Sequence, residues 1–532
     1  MWLFIGGQRA GAWPWQGCGC LSGAGLVSEK NTPFLVLFAK KQYFCTSQRN
    51  DCYMETLKEK TARGLFWGGM SNVVQQAVGL LFGIVLGRLL APSDYGMMAI
   101  ISVFSLVATA LQDSGFKVAL VNLKAPTHAD YNSVFWFNIL MGAALYLALC
   151  LAAPLIGRYY HVPQVVPLCR YAFLSIVVAS AGTAQSAWLF KNLRAKQIAK
   201  ASMTAITLSG CVGALMAVAG MAYWSLATQN IVYVTLNTLL LWHYSPWRPS
   251  ARGITFAPVR RMWRFSCKIL ASTITTHVNN NVLNILLGHY FSTRDAGCFN
   301  QAYQWNYKAY SLIQNMVGQV AQPVLVDLGG DASRQTAAFR KLMRFTAFVS
   351  FPLLFCFAIV AREFIVIALT EKWEASALLL QMLCLSGAFM PVASLLGSAI
   401  VSSGRSGAYF RATLALGLAN IALMASIWPL GIHTMVAAYV ALNIAATFMW
   451  HALAAPSVHY RLWPFLKDLL PFALTAAAAC GAAWLLTCGL DSLWLRLTAR
   501  VALAAILYLG AMRLAGAHIL DECLGFVRRK RR

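Results

Sequence analysis

Leu86-Gly87-Arg88-Leu89-Leu90-Ala91-Pro92-Ser93-Asp94-Tyr95-Gly96 returns 201 residues later as Leu287-Gly288-His289-Tyr290-Phe291-Ser292-Thr293-Arg294-Asp295-Ala296-Gly297. Leu, Gly, Asp and Gly match in place, and each stretch joins one long apolar run to the next. Six such runs separate the two starts, so both copies enter with the same orientation. That pattern predicts a parallel repeat about an axis along a membrane normal.

Composition puts the repeat in a bilayer. Of 532 residues, 59% are hydrophobic and 11% charged, with a mean hydropathy of +0.60, whereas a soluble domain carries about a quarter charged residues. A single soluble core seldom exceeds about 250–300 residues. Fourteen segments approach the roughly 20 apolar residues needed to span: 65–87, 97–120, 134–156, 171–189, 202–221, 223–242, 265–288, 297–323, 343–369, 376–401, 409–428, 431–455, 467–487 and 495–515. The predicted fold is an all-α integral membrane protein of about 14 transmembrane helices. It comprises an N-lobe of six spans (54–242), a basic inter-lobe linker (243–264), a C-lobe of six spans (265–455), a helix pair (456–515) and a basic tail (516–532).

Residues 1–53 read differently, with Trp13-Pro14-Trp15, Cys18-Gly19-Cys20 and one apolar run too short to span. We expect them to be a disordered, non-native extension, with Met54 as the start. The 14 cysteines are scattered, mostly inside apolar runs, and imply neither a metal site nor a disulfide framework. No cofactor is expected, and there is no Walker A stretch for ATP.

The formal charge of +26 would suit a nucleic-acid partner in a soluble chain. Here 29 of the 43 Lys and Arg lie in alternate loops and the tail, against 8, Arg500 among them, in the opposite, outer loops. The positive-inside rule places both termini in the cytoplasm. Topology and attraction to anionic lipid account for the surplus, so no nucleic-acid partner is expected.

Polar residues inside spans are costly and usually face a bundle interior or a water-filled cavity. In span eight Gln301, Gln304, Lys308, Ser311, Asn315 and Gln322 fall on one helical face, beside a row of Tyr303, Tyr307 and Tyr310. Lys308 sits near the midplane with no carboxylate in the span except Asp295 at its mouth. It is read either as a cation facing a lumen for an anionic substrate or as a snorkelling or carbonyl-bound side chain; depth favours the lumen. Asn280 and Asn284, with Thr276, His277 and Asn281, add polarity to span seven, as Asn72, Gln75 and Gln76 do to span one. These read as lumen lining or as interhelical hydrogen-bond glue.

The chain resembles the polysaccharide transporter family, the oligosaccharide flippases of the multidrug/oligosaccharidyl-lipid/polysaccharide exporter superfamily, over about residues 57–490. The resemblance rests on Leu86 to Gly96, Gln112-Asp113-Ser114-Gly115-Phe116, Ala152-Ala153-Pro154-Leu155-Ile156 and Gly404-Arg405-Ser406, in that order. It implies a two-lobed, V-shaped, non-catalytic transporter of the bacterial inner membrane. Such a protein moves undecaprenyl-diphosphate-linked oligosaccharide outward by alternating access, for capsule, exopolysaccharide or O-antigen. Its partners would be the lipid-linked oligosaccharide, membrane lipids, and the polymerase and glycosyltransferases of the pathway. Lys308 would meet the diphosphate; Arg88 reads from its place at the end of span one as an interfacial anchor, and in the resemblance as a second contact. A cation-coupled multidrug antiporter of the same fold would be expected to keep a carboxylate in span one, which shows only amides. A membrane glycosyltransferase or polymerase would need a carboxylate-bearing site or a large outer loop.

Overall fold

The computed structural model describes residues 67–113, 116–123, 125–252, 254–327 and 332–516. The expected N-terminal extension, Met54 and nearly all of the basic tail lie outside the described residues, as do the side chains of Asp113, Thr276, Asn280 and Gln322.

Among the described residues there is no β-strand. The helices run α1 (Trp67–Leu89), α2 (Pro92–Asp113), α3 (Phe116–Asn122), α4 (His128–Tyr159), α5 (Val165–Ala172), α6 (Leu174–Ser180), α7 (Thr183–Lys191), α8 (Ala195–Val218), α9 (Ala222–Tyr244), α10 (Ala257–Tyr290) and α11 (Thr293–Asp327). They continue as α12 (Ala332–Ile359), α13 (Ala361–Leu369), α14 (Glu374–Gly387), α15 (Met390–Ser402), α16 (Ser406–Ile427), α17 (Ile432–Val458), α18 (Leu462–Leu486) and α19 (Leu493–Leu514).

Among the described residues ten helices are long and apolar enough to cross a membrane, and Val165–Ser180 with Thr183–Lys191, bent by 41°, makes an eleventh if counted as one span. Helices α9, α10 and α11 have the length, at 23, 34 and 35 residues, but not the apolar content. Gln229 and Asn230 on α9, and Gln301, Gln304 and Lys308 on α11, turn toward an internal cavity, and this polar face lowers the average. Lipid-facing positions show the opposite chemistry, as at Leu151, which is 78% exposed.

Local sequence explains the helix starts. Thr127 and Asp130 form a reciprocal capping box at α4. The repeated Asp serves both copies: Asp94 Oδ2 accepts from the Ala91 amide (2.9 Å) at the head of α2, and Asp295 Oδ2 accepts from the Ser292 hydroxyl (2.6 Å) at the head of α11. Gly404, at φ +79°, ends α15 in a conformation that costs glycine little, letting Arg405 N reach Ile400 O (3.2 Å).

The repeated glycines meet each other. A Cβ on Gly96 would lie 1.7 Å from Thr293 O, and one on Gly297 would lie 1.8 Å from Pro92 O. Both contacts join positions that are equivalent under the 201-residue offset, so α2 and α11 cross backbone to backbone where only glycine fits.

Several boundaries differ from the sequence expectation: 376–401 is divided between α14 and α15, and 171–189 runs over α5, α6 and α7. The linker is shorter, because α10 begins at Ala257 rather than 265. The intervening loop is held against α4, with Ser250 N donating to Asn132 Oδ1 (2.9 Å) and Trp136 Nε1 to Ser250 O (2.9 Å). The segment 343–369 is two helices, broken at Val360. The expected separate helix pair also shares the core of the helices before it: Phe465, Leu469 and Tyr508 join one apolar cluster that reaches back to Leu283. Ion pairs to two buried carboxylates brace this union. Asp468 accepts from Arg340 Nε (2.7 Å), Arg344 Nε (2.7 Å) and the Tyr460 hydroxyl (2.7 Å), while Arg500 Nη1 meets Glu363 Oε1 at 2.9 Å. Arg500, assigned from sequence to an outer loop, is therefore a buried helix-to-helix contact.

Candidate functional site

Helix α11 separates two cavities. The first, about 590 Å³, is walled by α1, α2, α6, α8 and α9, and receives Asn300, Gln301, Gln304, Trp305 and Lys308 from α11. Lys308 lies 15 residues into the helix, about 22 Å along its axis. Its ammonium sits 4.4 Å from the centre of the Trp305 ring, a cation–π contact that partly offsets its removal from water. Gly83 on α1 leaves it room, since a Cβ there would stand 3.4 Å from Nζ. No carboxylate lines the cavity, and among the described residues none forms an ion pair with Lys308. Trp305 Nε1 is buried without a hydrogen-bond partner. The arrangement is a single positive charge in a pocket of neutral amides and hydroxyls, suited to an anion with hydrogen-bonding groups beside it.

The second cavity, about 440 Å³, lies between α10, α11, α15, α16 and α17. Tyr303, Tyr307, Tyr310, Ser311, Gln314 and Asn315 line it from α11, and no Lys, Arg, Asp or Glu does. Gln314 Nε2 donates to Ser394 Oγ (3.2 Å), and Asn279 Nδ2 to Thr413 O (2.7 Å).

The single polar stripe read from span eight is thus divided. Gln301, Gln304 and Lys308 serve the first cavity; Ser311 and Asn315 join the tyrosine row at the second. The reason is geometric: α2, α10, α12, α14 and α15 pack around α11, so one continuous arc faces two different spaces.

Arg88 reaches neither cavity. Its Nε donates to Ala368 O (2.8 Å) and its Nη2 to Ile367 O (2.7 Å), at the last turn of α13, where a cation complements the helix dipole. Lys372 Nζ donates back to Arg88 O (2.6 Å) and Trp373 Nε1 to Gly87 O (2.8 Å), so this corner ties α1 to α13 and the turn after it. Asn284 is buried, donating toward Asn281 Oδ1 (3.4 Å), and lines neither space. Gln75 bonds Ser71 within α1 (2.8 Å). Asn280 has no described side chain.

Sequence reasoning passed over Gln229, Asn230 and Tyr233 in the first cavity and Asn279, Tyr409, Asn420 and Asn443 in the second. The mid-span amides among them carried the same signal as the α11 stripe, a polar group set in an apolar run.

Comparison with known proteins agrees with this geometry. A family described as "Polysaccharide biosynthesis protein" matches residues 85–378. The chain is 25% identical over 356 residues to lipopolysaccharide biosynthesis protein WzxC of Escherichia coli (strain K12), covering 66% of this chain and 71% of the relative. It is 23% identical over 431 residues to teichuronic acid biosynthesis protein TuaB of Bacillus subtilis (strain 168), covering 80% and 88%. The fold resembles the inward closed conformation of the lipid II flippase MurJ, with a TM-score of 0.66 at 15% identity over 83% of this chain and 97% of that one.

Proposed function

The chain belongs to the polysaccharide biosynthesis protein family, among the polysaccharide transporters of the exporter superfamily named above, and from that premise we propose that it flips a lipid-linked oligosaccharide. The substrate in this reading is an undecaprenyl-diphosphate-linked repeat unit, carried from the cytoplasmic to the outer leaflet of a bacterial inner membrane. The observation that carries the proposal is the ammonium of Lys308, set without a carboxylate partner in the 590 Å³ cavity. A diphosphate would pair with it, while the neutral groups around it hydrogen-bond the adjoining sugar.

The architecture proposed with it is fourteen spans in two six-helix lobes plus a final pair, both termini cytoplasmic. Every expected span overlaps a helix, and the reciprocal Gly96 and Gly297 contacts are what a parallel pseudo-two-fold would produce. Alternating access would open and close the space about α11, with the Arg88 corner joining the halves on the sparsely charged, outer side. Nothing in the proposed cycle requires bond cleavage, so the protein acts as a transporter. The antiporter reading lacks its carboxylate, since α1 has none.

The test is Lys308→Ala in the producing bacterium. With the protein at normal membrane level, lipid-linked repeat units should accumulate on the inner leaflet. Wild-type surface polysaccharide in that strain would sink the proposal.

A further inference from the structure

We propose that the second cavity is a binding site for the neutral sugar units of the transported glycan, separate from the charge that holds its diphosphate. The inference rests on the flippase reading and deepens it. Among the cavity's lining residues no side chain carries a charge, so neither an acidic sugar nor a cationic drug finds a counter-ion there. Amides and hydroxyls supply both donors and acceptors, and tyrosine rings supply flat apolar surface for the C–H faces of a pyranose. Tyr307, exposed over 46% of its surface, stands edge-on to Tyr310 at 5.4 Å, and Tyr409 tilts over Trp450 at 5.0 Å.

A second observation points to a ligand. Asn420 is only 3% exposed and borders the cavity; its Nδ2 donates to Leu416 O (3.2 Å), yet its Oδ1 has no partner. A buried carbonyl oxygen left open beside a polar space is the acceptor that a sugar hydroxyl satisfies. Continuity supplies the route. Asn315 lies seven residues beyond Lys308, about 10 Å along the same helix, and both border the arc of α11 that faces the two cavities. A glycan whose diphosphate sits on Lys308 would have to pass around α11 to bring its following sugars beside Ser311, Asn315 and Tyr307. The two cavities would read different parts of one molecule.

The experiment measures binding to the purified full-length protein in detergent with two probes. One is undecaprenyl diphosphate without sugar; the other is the neutral oligosaccharide released by mild acid from the host's lipid-linked repeat units. Asn420→Leu should weaken oligosaccharide binding at least tenfold and leave undecaprenyl diphosphate within twofold. Lys308→Ala should do the reverse. Tyr307→Phe, which removes one half-exposed hydroxyl, gives the same reading if Asn420→Leu does not accumulate. Oligosaccharide binding that stays within twofold in the Asn420 or Tyr307 variant overturns the sugar site and leaves the flippase reading standing. Undecaprenyl diphosphate binding indifferent to Lys308→Ala removes the flippase reading instead, whereas selective loss of sugar binding in the Asn420 variant would still uphold the site.

Discussion

The two sides of α11 differ in both chemistry and construction. On one side a lone ammonium projects into a cavity whose surrounding core is divided among small apolar clusters. On the other, a neutral cavity of tyrosines and amides is set into one continuous cluster running from Leu283 to Met512, braced by ion pairs to buried carboxylates. The difference teaches that charge in this interior is rationed. A cation stands only where no carboxylate quenches it, while the paired charges are placed at helix contacts away from both cavities.

Four substitutions would break or sharpen that contrast. The largest effect should come from Arg500→Ala, which leaves Glu363 buried with only Arg496, at 3.7 Å. A buried carboxylate with no partner costs about 3–5 kcal/mol, of which Arg496 offsets a part, so the melting temperature in detergent should fall without a change in ligand preference. Lys308→Ala comes next: losing a charge-assisted contact of about 1.5–3 kcal/mol should cut export roughly 10- to 150-fold, read as surface polysaccharide per transporter. Lys308→Arg should restore part of it. Gly83→Val places methyls beyond the 3.4 Å that a Cβ would occupy beside Nζ, and overpacking of about 1–3 kcal/mol should lower export about tenfold by displacing the ammonium. If Gly83→Val exports normally, the position of the ammonium does not matter. The smallest effect belongs to Tyr307→Phe: about 1 kcal/mol for one hydrogen bond, or roughly fivefold in export. It should appear with the native glycan and be absent with a repeat unit truncated to its first sugar.

Much of the fold was legible in order and rough extent. Apolar runs near bilayer length marked every long helix; that the matched Gly96 and Gly297 lie where α2 and α11 touch came only from the packing. What periodicity could not show is that the polar stripe of span eight faces two spaces, because spacing along one helix says nothing about which neighbours cover each part of its surface. Lys308 was legible by depth, since a midplane cation in an apolar run is conspicuous wherever it points. The anchoring partners of Arg88, the carbonyls of Ile367 and Ala368, could not be named from sequence because they lie nearly 280 residues away. Arg500 was misread for the same reason: Glu363 is a distant partner in the chain, and only packing reveals the pair.

By itself, then, the sequence determined that the chain is an all-helical membrane protein with one cation set deep in an apolar run, because hydropathy and the placing of charge are properties of local composition. Tertiary structure alone decided that α11 borders two cavities, that Asn420 lines one of them, and that the last helix pair is part of the core. Those facts depend on which surfaces meet, and residues far apart in the chain come together only when the helices pack.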